Sequence, residues 1–243
     1  MKVLFSPSET KTSLAYAPCV HENSFIFPHL YPKRMEVLHR YDALLHSASS
    51  LTLQKLFGIK EIGHLKDSPL ERLTCKAIER YDGVAYDYLS YGTLDEKAQR
   101  WIAEHVMIFS NLFGPILAHD FIPEYKLHQG ETLEGFKPEA FYKEHFSDAI
   151  TSWIDDEAVL DLRAGFYEKF YTLNQPYLTM KFLKQGKVVS HFAKAYRGRI
   201  LRQIACVAPN NVSDFANIAF EGLRIVEIKQ SRFKHEYVYD IID

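Results

Sequence analysis

The chain opens on a short apolar run, Lys-Val-Leu-Phe-Ser at 2–6, cut off by Pro7. That pattern predicts a buried strand ending in a turn. Residues 12–32 hold Pro18, Pro28 and Pro32 with no clear period, and predict an irregular surface crossing. Leu38, Leu44, Leu45, Leu51 and Leu56 mark a helix over 33–57. Ser68-Pro69, with Glu71 in the first turn, predicts a further helix through about Arg80. Tyr81-Asp82-Gly83 is a turn signal, and Asp95 caps a helix expected to run to Leu112, where Gly114-Pro115 stops it. Lys137-Pro138 opens another helix over 136–154. The second half changes period. Val159–Leu162 predicts a short buried strand, and 177–192 alternates about Gln185-Gly186 as a β-hairpin does. A helix from Ala193 to Cys206 and strands over 221–228 and 236–241 complete the chain. One strand, many helices, then mixed elements predict an α+β fold: a single compact domain over 1–243, with a mixed β-sheet surrounded by helices.

Charge sharpens this picture. Between Phe170 and Ser213 there is no acidic residue, while Lys181, Lys184, Lys187, Lys194, Arg197, Arg199 and Arg202 all fall inside. The chain of 243 residues has formal net charge −2, so the remainder carries a clear acidic excess. Such a basic stretch attracts phosphate, on a nucleic acid or on a small ligand, or else balances acidic helices elsewhere in the fold. The three cysteines, Cys19, Cys75 and Cys206, fit neither a disulfide framework nor a zinc knuckle. With no signal-like core or membrane-length apolar run, the expected location is cytoplasmic.

The strongest local chemistry is 193–202, Ala-Lys-Ala-Tyr-Arg-Gly-Arg-Ile-Leu-Arg. On a helical wheel Ala193, Tyr196, Ile200 and Ile204 share the face that packs on the sheet. Lys194, Gly198, Leu201 and Arg202 lie on a neighbouring face, with Arg197 at the border, where it can bury its stem and offer a planar fork to an anion. Gly198 costs a helix interior about 1 kcal/mol against alanine. It admits either a ligand or another backbone. A second signal is the strand end, where Ser6, Pro7, Thr10 and Lys11 offer hydroxyls, backbone amides and an amine for a pocket. A third is 53–66, where Gly58 and Lys60 sit in a turn between two short amphipathic segments, like the hairpin of a helix-hairpin-helix DNA-binding module. No phosphate-cradling Gly-rich loop, nucleophile elbow or zinc-ligand grouping is present in the sequence, so no metal or cofactor is expected.

Several segments together resemble the YaaA family of bacterial peroxide stress response proteins. The family's N-terminal Ser-Pro-Ala-Lys-Thr is matched by Ser6-Pro7-Ser8-Glu9-Thr10-Lys11. Its central segment is matched by 111–120 and 124–130, with Ala118 in place of an arginine and His128 in place of a glutamate. Its Asn-Leu-Ala-Ser stretch resembles Asp161-Leu162-Arg163-Ala164, followed by Tyr167 and Lys169. The Ala-Lys-x-x-Arg-Gly-x-x-x-Arg block is met by Ala193, Lys194, Arg197, Gly198 and Arg202, and the late Ser-Glu-Gly-Tyr by Phe220-Glu221-Gly222-Leu223. The resemblance implies a cytoplasmic bacterial protein with an α+β fold of its own. It also implies a role in lowering free iron under hydrogen peroxide, and binding of double-stranded DNA through a basic groove. On that reading Lys194, Arg197, Arg199 and Arg202 contact phosphates, with Gly58 and Lys60 as a second anchor. The alternative is an enzyme on a small anionic or nucleotide-like substrate, with Lys169 or Glu221 as the proton-transfer group.

Overall fold

The N-terminal run forms β1 (Lys2–Phe5), the middle of an eight-stranded mixed sheet in a computed structural model. The structure describes residues 1–242, and within them every side chain except those of Ser190 and His191. β2 (Thr10–Lys11) follows the strand-end turn. The proline-rich crossing contains two 3-10 turns and leads into α1 (Tyr31–Ser47), then α2 (Ser50–Phe57). The expected single helix over 33–57 is thus two, because the Ser49 side chain accepts from the Thr52 amide and restarts the helix as an N-cap.

The next stretch departs from the sequence expectation. Ser68-Pro69 opens only a 3-10 turn, Pro69–Glu71, followed by β3 (Thr74–Lys76) and the one-turn α3 (Ala77–Arg80). β4 (Tyr81–Asp82) pairs with β2, and Gly83 then starts α4 (Val84–Leu89). Asp95 does cap α5 (Glu96–His105), its carboxylate accepting from the Ala98 amide at 2.8 Å. That helix stops seven residues early. Val106–Ser110 is β5, buried at every position beside β1, and it turns into β6 (Gly114–Leu117). β7 (Phe121–Pro123) pairs with β3. α6 (Pro138–Ile154), β8 (Val159–Asp161), β9 (Tyr177–Lys184) and β10 (Lys187–Val188) lie where the pattern put them. α7 (Ser190–Val207) starts directly after the hairpin, and α8 (Val212–Ala216), β11 (Leu223–Gln230) and β12 (Lys234–Ile241) finish the chain.

The sheet order is β11-β12-β9-β8-β1-β5-β6, with β10 beside β9. β1 runs parallel to β5 on one side and to β8 on the other. The chain therefore leaves β1 toward one edge and later returns to its opposite flank. At such a switch point the loops beyond the carboxyl ends diverge and leave a crevice, the usual ligand position in open α/β sheets. Packing fixes the crevice walls. One apolar cluster runs from Met1 through Ile241. Beyond the end of β8, Arg163 forms a buried bidentate pair with Asp161 at 2.8 and 2.9 Å. It also donates to the Tyr167 and Tyr171 carbonyls, tying down the loop that follows.

Candidate anion-binding cavity

A cavity of about 290 Å³ opens at the ends of β1 and β8. One wall is the strand-end turn, with Ser6, Pro7 and Thr10. The Ser6 hydroxyl accepts from the Ala164 amide at 2.8 Å, and the Ser6 carbonyl accepts from the Tyr86 hydroxyl at 2.9 Å. These bonds join the ends of β1, β8 and α4 into one frame. The opposite wall is α7, which brings Lys194 and Arg197 to the same cavity. Their spacing of three places both on one side of the helix, while Ala193, Tyr196, Ile200 and Ile204 are buried on the sheet side as the wheel predicts. Among the described residues neither Lys194 nor Arg197 makes a hydrogen bond or ion pair. Burial lowers the Arg197 pKa from its ordinary value, against the pull of the Asp161 and Glu168 carboxylates. A half-buried guanidinium without an ion-pair partner lowers its energy by taking up an anion.

Glu9, a residue to which the sequence pattern assigns no role of its own, also lines the cavity. It is held by the segment after β7. Its Oε1 accepts from the Gln129 amide at 2.8 Å and lies 3.5 Å from His128 Nδ1, and the Lys126 ammonium sits 3.5 Å from Oε2. Lys126 also donates to the Glu9 carbonyl at 2.7 Å. The only advance signal for this wall is the family-like 124–130 segment. Lys11 stands behind it. Its ammonium donates to the Ser8 carbonyl and lies 4.2 Å from the Tyr125 ring centre. Burial pushes its pKa down to about 7, with the nearby Lys126 adding to the shift. At neutral pH this amine is poised between its charged and neutral forms.

Other expected site residues lie elsewhere. Gly198 admits a backbone, not a ligand: a Cβ there would lie 1.9 Å from the Ala85 carbonyl oxygen of α4. That close crossing sets Ala85 against the cavity. Arg199, Arg202 and Glu221 line a different cavity, of about 770 Å³. There Arg202 donates to the Leu89 and Ser90 carbonyls at the end of α4, and the Arg199 guanidinium lies 4.9 Å from the Tyr88 ring centre. Lys169 is exposed, 5.0 Å from the Phe166 ring, and lines neither cavity. The hairpin also differs from expectation. The segment after Gly58 forms a 3-10 turn, Gly63–Lys66, in place of a second α-helix. Gly58 caps α2 in the left-handed region, and the Gly58 and Ile59 amides bond back to the Lys55 and Gln54 carbonyls. Those two amides are therefore engaged within the turn. Lys60 is exposed, its carbonyl bonded by Gln54.

The fold and this site define an α+β protein with a cation-lined cavity at the carboxyl ends of parallel strands. Residues 1–229 match the family described as Peroxide stress protein YaaA, and the chain belongs to that family. It is 47% identical over 248 residues to a protein of Campylobacter jejuni described as uncharacterized, with all of both chains covered. It is 33% identical to a UPF0246 protein of Corynebacterium glutamicum, over 93% of this chain and 95% of that one. A UPF0246 protein of Streptomyces coelicolor is 31% identical over 84% of this chain and 82% of its own. No helix among the described residues is long and apolar enough to cross a membrane.

Proposed function

We propose that the protein serves the response to hydrogen peroxide by binding a small anionic molecule, bearing phosphate or carboxylate, in the cavity at the ends of β1 and β8. The observation that carries this reading is the convergence of Lys194 and Arg197, without ion-pair partners among the described residues, on the strand-end turn. The two cations hold the anionic group, and Ser6 and Thr10 line the opposite wall. If the bound molecule is a substrate, Glu9 is the proton acceptor, because it lines the cavity and Lys169 and Glu221 do not. Lower free iron, which the family resemblance implies, is then a downstream consequence of occupancy.

Duplex DNA is the second reading, favoured by the acid-free stretch between Phe170 and Ser213. The division of that stretch between two cavities weakens it: Arg202 holds the end of α4, whereas Lys194 and Arg197 face the smaller cavity.

Complementation of a strain lacking the protein tests the proposal, with survival under peroxide and chelatable iron measured together. Lys194→Ala is expected to lose both while melting like the wild type, since an exposed lysine truncation costs less than about 0.5 kcal/mol. A folded Lys194→Ala that restores both readouts overturns the assignment. Recovery by Lys194→Arg identifies a charge that holds an anion, and failure identifies a role that needs the amine itself.

A further inference from the structure

β11 closes one side of the eight-stranded sheet, and its outward backbone groups pair with no strand among the described residues. Such an edge is a template for another chain. Cross-strand partners share a face, so the register on β12 sorts its side chains. Leu223, Ile225 and Ile228 stand opposite Ile241, Tyr239 and Tyr237. Those three are buried, and Phe215 and Phe220 pack on the two tyrosines with ring centres 5.6 and 6.0 Å apart. The apolar layer therefore continues onto β11 past its cover, where Ile225 is 43% exposed and Ile228 54%. Arg224, Glu227 and Lys229 occupy the other face, opposite Asp240, Val238 and Glu236. Val226 sits in a β-bulge between Ile225 and Glu227, and is 48% exposed.

The bulge gives this edge an internal symmetry. Ile225 and Val226 together fill one pleat position. An antiparallel two-fold centred on that position sets Leu223 against Ile228 of the second copy on the apolar face. It sets Arg224 against Glu227 on the polar face, and each contact occurs twice. Moving the centre one pleat toward the C-terminus opposes Arg224 and Lys229, two like charges, which is unfavourable. One pleat further leaves the bulge opposite Gln230 and loses the Leu223 contact.

We propose that β11 is a homodimerisation edge, with a second copy of this chain as its occupant in that register. The Arg224–Asp240 and Glu227–Lys229 pairs within one chain, at 3.4 and 3.2 Å, are exposed and give way easily. Antiparallel addition makes the two sheets continuous, satisfies the outward backbone groups and covers Ile225 and Ile228.

Light scattering on the full chain across a concentration series tests this. The wild type is expected to reach the mass of two chains as concentration rises. Glu227→Arg places like charges opposite each other twice in that register, leaves Arg224 facing Lys229 in the next, and is expected to remain at the mass of one chain. Arg224→Glu combined with Glu227→Arg restores opposite charges at both 224–227 contacts of the proposed register, and is expected to recover the dimer. Circular dichroism melts confirm that each variant is folded. A wild type that stays monomeric throughout overturns the proposal, as does a folded double variant that does not recover.

Discussion

Lys11 shows how a residue legible only as a polar group in a turn gains a chemical property from its surroundings. Burial between Glu9, Lys126 and Tyr125 brings its pKa from 10.5 to about 7. Below pH 7 the amine is charged in both folded and unfolded chains, and the full cost of burying that charge falls on the folded one. Between pH 7 and 10.5 the unfolded chain binds more protons, so this contribution to stability improves as pH rises. Lys11→Met is therefore expected to raise the melting temperature relative to wild type most below pH 7. The difference should shrink as pH approaches 10.5, and a difference independent of pH would refute the depressed pKa. Lys194 and Arg197 were legible as a pair because helical period alone places them on one side. Glu9 was not, because its role depends on Lys126 and Gln129, which reach it only through the fold.

At the scale of elements, Gly198 governs how α7 meets α4. Alanine is the better helix former by about 1 kcal/mol. Yet its Cβ would strike the Ala85 carbonyl, with the Leu89 amide 3.1 Å away, and backbone cannot yield as a side chain does. Gly198→Ala is expected to destabilise the protein by about 1–3 kcal/mol in denaturant melts. Because Ala85 lines the cavity proposed to hold the anion, it should also weaken binding there. A stabilised variant would show that the helices can separate freely. The missed elements have a common cause. Val106–Ser110 is a short apolar run after a well-capped helix, and period cannot tell a buried strand from a continuing helix over so few residues. Its strand state comes from pairing with β1 and β6. Thr74–Lys76 likewise is a strand because Phe121–Pro123 lies beside it.

For the whole molecule, the two functional readings differ in salt dependence. Each phosphate contact adds about −0.9 to the log–log slope of duplex binding against salt. A protein whose cavity takes only a small anion is expected to show no salt-dependent binding in titrations with labelled duplexes. Engagement of four phosphates by the basic helix would give about −3.6 and would favour the DNA reading. By itself the sequence determined the α+β class, the strands with strong alternation, the N-cap at Asp95, the helix start at Pro138, and the face of α7 that carries Lys194 and Arg197. These follow from local period and capping, which act within a few residues. Tertiary structure alone decided that Arg199 and Arg202 part company with Lys194, that α4 occupies the space at Gly198, and that Glu9 joins the cavity. Each of those outcomes depends on which distant segment packs against a residue, and that is set by the closure of the whole sheet around β1.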